Sequence, residues 1–157
     1  MTALTPALAY VFWHAPAPGT DVDGYDAALV RWHAALARDV TTSATWRLPD
    51  GVPWLPDWTR PVYEDWYLVA DWSALGRLEH DAVSSRLVEV HDTAARDAAK
   101  GVAGVWRGPP RLPGDQLGWT DEAPDEEAIA WRRCLTLGPA PQYAVDGGPG
   151  PPRERVR

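Results

Sequence analysis

Leu8-Ala9-Tyr10-Val11-Phe12-Trp13-His14 is the stretch on which the fold turns. In an extended chain successive side chains alternate, so Leu8, Tyr10 and Phe12 share one face while Ala9, Val11 and Trp13 share the other. Both faces are apolar, which marks a central strand covered on two sides. Pro16, Pro18 and Gly19 end it. Val62 to Asp71 repeats the pattern, with Tyr63, Asp65, Tyr67 and Val69 opposite Val62, Glu64, Trp66, Leu68 and Ala70. Thr41 to Leu48, rich in threonine and carrying Trp46, is the strand between them.

A helix fits the interval after Gly19. Asp21 or Asp23 serves as its N-cap, and Tyr25, Ala28, Leu29, Trp32, Ala35 and Leu36 form one apolar stripe as far as about Arg38. The connection from Pro49 to Pro61 exceeds the usual hairpin loop of ~2–5 residues and carries Trp54 and Trp58. A turn over Trp72 to Leu78 precedes a second helix, Ala82 to Lys100, with Val83, Leu87, Val90, His91, Ala94 and Ala98 inward and Gly101 as C-cap. Val102 to Arg107 reads as a short fourth strand. Residues 1–108 therefore form an α+β domain, and residues 109–146 form a C-terminal extension packing on it. That extension holds a short helix within Asp121 to Arg133 and short strands at Leu135–Leu137 and Gln142–Val145. The Gly, Pro and Arg content of residues 147–157 predicts a disordered tail.

Composition narrows the function. One domain of 157 residues buries a core without staples. A net charge of −7 opposes a nucleic-acid partner, since phosphate binding needs a basic field. Cys134 is the only thiol, so neither a disulfide framework nor a Cys-rich metal site is expected, and Cys134 itself reads as a small buried hydrophobe. The apolar run Ala7 to Trp13 is too short for a signal core or a membrane span, so a cytoplasmic setting without membrane contact is expected. Ten tryptophans exceed what an ordinary core of this size takes up, which predicts that some line a pocket or a contact surface.

The order strand, helix, strand, strand, helix, strand resembles the ferredoxin-like βαββαβ arrangement. Tyr10 to His14, Tyr25 to Leu36 with Trp32-His33, and Asp65 to Val69 resemble segments of the dimeric α+β barrel superfamily, which includes antibiotic-biosynthesis monooxygenases. The resemblance covers about residues 7 to 107 and is one of pattern. It implies a four-stranded antiparallel sheet with helices on one face and a homodimer formed through the other.

Candidate chemistry centres on a few side chains. His14 ends the first strand, His33 adjoins Trp32, and His91 lies on the inner stripe of the second helix; each is a candidate general base. The plainer alternative makes His33 a helix-border residue and His91 a core residue. Asp65 and Asp71 are candidate carboxylate bases, though Asp71 equally suits a helix cap and Asp65 a rim ion pair. Tyr10, Phe12, Trp46 and Tyr67 are expected to line a cavity between sheet and helices. Trp54 and Trp58 are either a lid over a ligand or anchors in a dimer. No ligand spacing implies a metal, and no motif implies a cofactor; haem is a lesser variant of the ligand-binding reading. Two functions follow as expectations: binding or transformation of a small apolar or aromatic molecule, or a non-catalytic homodimer whose sheet face is filled.

Overall fold

The structure, a computed structural model, describes residues 5–157. Its elements run β1 (Ala7–Pro16), α1 (Val22–Ala35), β2 (Thr42–Leu48), β3 (Val62–Val69), α2 (Trp72–Ser84), α3 (Val88–Ala95), β4 (Ala98–Gly108), β5 (Leu117–Thr120), β6 (Ala130–Thr136), β7 (Tyr143–Asp146) and β8 (Glu154–Arg155). The strands form one eight-stranded sheet in the order β5-β7-β6-β4-β1-β3-β2-β8. Every neighbouring pair is antiparallel.

The sheet cannot be flat. Five strand spacings separate β5 from β3, which is roughly 24 Å in a flat sheet at ~4.8 Å per spacing. Yet the Trp119 indole of β5 donates to Glu64 of β3 over 3.1 Å, and Trp131 of β6 meets Trp66 of β3 with ring centroids 5.1 Å apart. The sheet therefore curls until its flanks face each other. Alternation then divides every strand between two cores. Ala9, Val11, Trp13, Ala44, Trp46, Trp66, Trp106, Leu117 and Trp131 fill the concave side. Leu8, Tyr67, Val69 and Val105 turn to the convex side and pack with Trp32, Leu36, Leu75, Leu78 and Ala94 from the helical layer.

Local chemistry explains several of these elements. In α1, Tyr25, Ala28, Leu29 and Trp32 are the buried residues, at the i, i+3, i+4, i+7 spacing of one helix face. Asp71 caps α2 by accepting from the Ala74 amide at 2.8 Å. Gly108 of β4 lets the Trp131 ring lie against the backbone, where any Cβ would collide with it.

Several expectations are corrected here. The sheet has eight strands, not the four of a ferredoxin-like βαββαβ core: β6, β7 and β5 extend it beyond β4, and β8 extends it beyond β2. The case for a homodimer rested on a second sheet face left bare by the helices. That face is packed by the chain's own tryptophans, so the need for a second copy disappears, and with it the resemblance to the dimeric α+β barrels and their monooxygenases. The expected helix from Ala82 to Lys100 is instead the end of α2 and α3, with non-helical backbone at Ser85 between them. Its expected end, Ala98 to Lys100, pairs with β1 instead: cross-strand pairing overrides the helical preference of alanine. Ala130–Thr136 is strand, taking in part of the Asp121 to Arg133 interval expected to hold a short helix and most of the strand expected at Leu135–Leu137. Residues 147–157, expected to be disordered, include β8 and a buried Arg153 side chain. Cys134 is exposed. No helix among the described residues is long and apolar enough to cross a membrane.

Candidate functional site

A cavity of about 230 Å³ lies between the convex side of the sheet and the helices. The strands β1 and β3 supply its floor through Tyr10, Phe12, His14, Asp65 and Tyr67; α1 supplies Tyr25, Leu29 and Trp32. Leu78, Glu79, Ala82 and Val83 of α2 and His91 and Ala94 of α3 complete the wall. Most of this lining is apolar, with Asp65 at the base and the exposed Glu79 at the rim.

Asp65 is 2% exposed and has four polar neighbours. Thr45 donates to Oδ1 at 2.7 Å. Tyr67 donates to Oδ2 at 2.6 Å while accepting from the Trp32 indole at 2.9 Å. His14 Nε2 stands 3.1 Å from Oδ2, off the line of a good hydrogen bond. His33 Nε2 lies 3.7 Å from Oδ1. Burial acts to raise the Asp65 pKa. The charge and hydrogen-bonding capacity of His14, followed by those of His33, outweigh it and hold the carboxyl well below its ordinary range.

The hydrogen-bond chain assigns protons. The single Thr45 proton goes to Asp65, so Thr45 Oγ1 must accept from His33 Nε2–H at 2.6 Å. His33 Nδ1 then faces the Ser43 hydroxyl at 2.8 Å. On the other flank a carboxylate can only accept, so His14 Nε2 carries a proton toward Asp65. His14 Nδ1 lies 2.6 Å from the Tyr25 hydroxyl. Tyr25 is pushed up by burial first and then by the charge of Asp65, so it remains a phenol, and its hydroxyl donates to His14 Nδ1. Tyr10 and Tyr67 are raised for the same leading reason, burial, aided by Glu79 and Asp65 for Tyr10 and by Asp65 for Tyr67. Ring stacking holds both imidazoles: His33 lies parallel to Tyr67 at 5.1 Å, and His14 to Tyr63 at 5.5 Å.

The sequence-derived candidates divide cleanly. Tyr10, Phe12, His14, Tyr67 and His91 line the one cavity. His33 reaches Asp65 from the far side and borders a smaller recess of about 100 Å³ with Ser43, Thr45 and Arg155. Asp71 is the α2 cap and takes no part. Trp46 lies on the opposite side of the sheet from the cavity, and Trp54 and Trp58 pack against that same concave core. Tyr25 and Thr45 enter the network without having been singled out. Tyr25 reads as one more member of the α1 stripe, and Thr45 as an ordinary β-branched strand residue. Among the described residues no group of three or more His, Cys, Asp or Glu side chains is arranged to hold a metal ion. No protein-family model, curated protein or solved structure matches the chain.

Proposed function

We propose that the chain binds a small, largely apolar molecule in the convex-side cavity and moves a proton on it through Tyr25, His14 and Asp65. The supporting observation is the succession of groups from cavity to buried charge: the Tyr25 hydroxyl 2.6 Å from His14 Nδ1, and His14 Nε2 3.1 Å from the Asp65 carboxylate. The Tyr25 oxygen takes a proton from a bound acid while its own proton passes to His14 Nδ1. The resulting imidazolium is stabilised by Asp65, whose ionised form is already favoured. In the reverse direction the imidazolium returns the proton through Tyr25, so the same groups serve as acid. Proton transfer of this kind contributes typically about 10²–10⁴-fold to a rate.

Size limits the ligand. A cavity of about 150 Å³ accepts benzene, so about 230 Å³ suits one ring, or an aliphatic group of like bulk, with a short polar substituent. This is below the ~300 Å³ at which drug-sized sites begin.

The test uses acetophenone, a single ring with a ketone and exchangeable α-hydrogens. Saturable binding is followed by ligand-observed NMR, and α-hydrogen exchange by loss of the methyl signal in deuterium oxide. The expected result is saturable binding with exchange above the buffer rate; Tyr25→Phe and His14→Gln retain binding and lose exchange at least about 100-fold. Exchange unchanged in both variants would refute the proton path, and the absence of saturable binding by acetophenone, phenol and benzaldehyde alike would refute the binding site.

A further inference from the structure

The concave interior contains a second buried acid. Glu64 accepts from the indole N–H of Trp13 at 2.9 Å and of Trp119 at 3.1 Å on Oε2, and from Trp66 at 2.7 Å on Oε1. Arg153 Nη1 approaches Oε1 at 3.1 Å. Its guanidinium carbon lies 4.3 Å from the centroid of the Trp46 ring. The Arg153 side chain is only 2% exposed, yet Nε and Nη2 have no hydrogen-bond partner among the described residues. Two buried guanidinium nitrogens without acceptors carry a desolvation cost.

Arg153 reaches this interior from a strap. After β7 the chain runs through Gly147, Gly148, Pro149, Gly150, Pro151 and Pro152. It passes over Gly118 of β5, where a Cβ would stand 2.8 Å from the Pro149 carbonyl oxygen. It then ends on the other edge of the sheet as β8, paired with β2 only at Trp46–Arg155 and Arg47–Glu154. The strap thus bridges the two edges of the curled sheet, fastened by a two-residue strand, the bond from the Val156 amide to Thr45, the Arg47–Glu154 pair, Arg155 over the Trp46 ring and Val156 against Tyr25, Leu29 and Tyr63.

We infer that the concave interior is a cation-binding chamber which Arg153 occupies from within the chain, and that release of the strap admits a small molecule bearing a guanidinium group. Three features carry this. An aromatic face beside a carboxylate is the arrangement that receives an organic cation. Glu64 keeps its three indole donors when Arg153 departs, so the carboxylate stays oriented and hydrogen-bonded without its internal partner. The two unpaired nitrogens make Arg153 an incomplete occupant, which a smaller guanidinium free to reorient replaces without the tether.

The full-length chain and Arg153→Ala are titrated with ethylguanidinium at low millimolar concentration, with ethylurea as the neutral counterpart. Tryptophan fluorescence reads the interior, and amide hydrogen exchange reads residues 154–156. Removing the internal competitor is expected to tighten the apparent ethylguanidinium affinity at least about tenfold relative to the unaltered chain. Ethylurea should give no saturable response, and Glu64→Gln should abolish the response to the cation. In the unaltered chain, ethylguanidinium should raise exchange at residues 154–156 saturably. A folded Arg153→Ala chain that responds to neither compound, or equally to both, overturns the inference. Should Arg153→Ala fail to fold, the unaltered chain decides alone: strap exchange indifferent to ethylguanidinium overturns it equally.

Discussion

Glu64 and Asp65 are adjacent residues of one strand, both buried, and they point into opposite halves of the molecule. Glu64 faces a concave interior where its partners are three indoles and a guanidinium, groups that only donate. Asp65 faces a cavity where its partners are two imidazoles, a phenol and a hydroxyl that can reverse, rotate or change tautomer. Burial is the same on both sides. What differs is whether the surrounding donors are fixed or adaptable, and that difference separates an acid that holds a chamber in shape from one placed to support proton transfer.

The contrast is sharpest in the cost of removing each charge. Glu64→Leu strands the Arg153 cation and three indole donors, and loss of one member of a buried pair costs about 3–5 kcal/mol. Urea denaturation should show that loss, and adding Arg153→Leu should recover much of it. A Glu64→Leu chain as stable as the original would erase the distinction between the two sides. Asp65→Asn keeps the shape, and its neighbours can reverse their hydrogen bonds, so a smaller loss of about 1–3 kcal/mol is expected.

That second loss should depend on pH. The folded chain lowers the Asp65 pKa below its unfolded value, so folding favours the ionised form. The resulting stabilisation is fully present above the ordinary carboxylate pKa of about 3.9 and is lost as pH falls through the lower folded value. The difference in urea midpoint between the original chain and Asp65→Asn should therefore narrow below about pH 4. A difference that widens on acidification would reverse the assignment of Asp65 as an anion held by its neighbours. The smallest effect belongs to Asp71→Ala, which removes the α2 cap at about 1 kcal/mol. It should leave acetophenone binding unchanged; a loss of binding would draw Asp71 back into the site.

How far this was legible follows from periodicity. Alternation along β1 and β3 shows two faces, and α1 shows its stripe, because those signals are long and regular. Alternation also separates Thr45 from Trp46 and Glu64 from Asp65. It does not say which face lies beneath the helices, and so Trp46 was grouped with Tyr67 although the sheet lies between them. After Gly108, β7 was expected at Gln142–Val145 and the end of β6 at Leu135–Leu137, but β5 with four residues and β8 with two were missed, too short for a pattern to emerge from surrounding Gly and Pro. The curl was hidden for the same reason, since it depends on where Trp119 and Trp131 land. Arg153, in a stretch with the composition of a disordered tail, gave no local sign that it ends against Glu64.

The neighbouring acids of β3 have one more consequence, for the way the sheet assembles. Because side chains alternate, sliding β3 by a single position against β1 and β2 would exchange Glu64 and Asp65 between the two sides. The shorter acid would then stop short of the indoles, and the longer one would crowd the imidazoles. Apolar strands flanked by apolar layers tolerate such slippage because either face can be buried. Here two unlike carboxylates act as a keyed joint, admitting one alignment of the central strands and penalising the next.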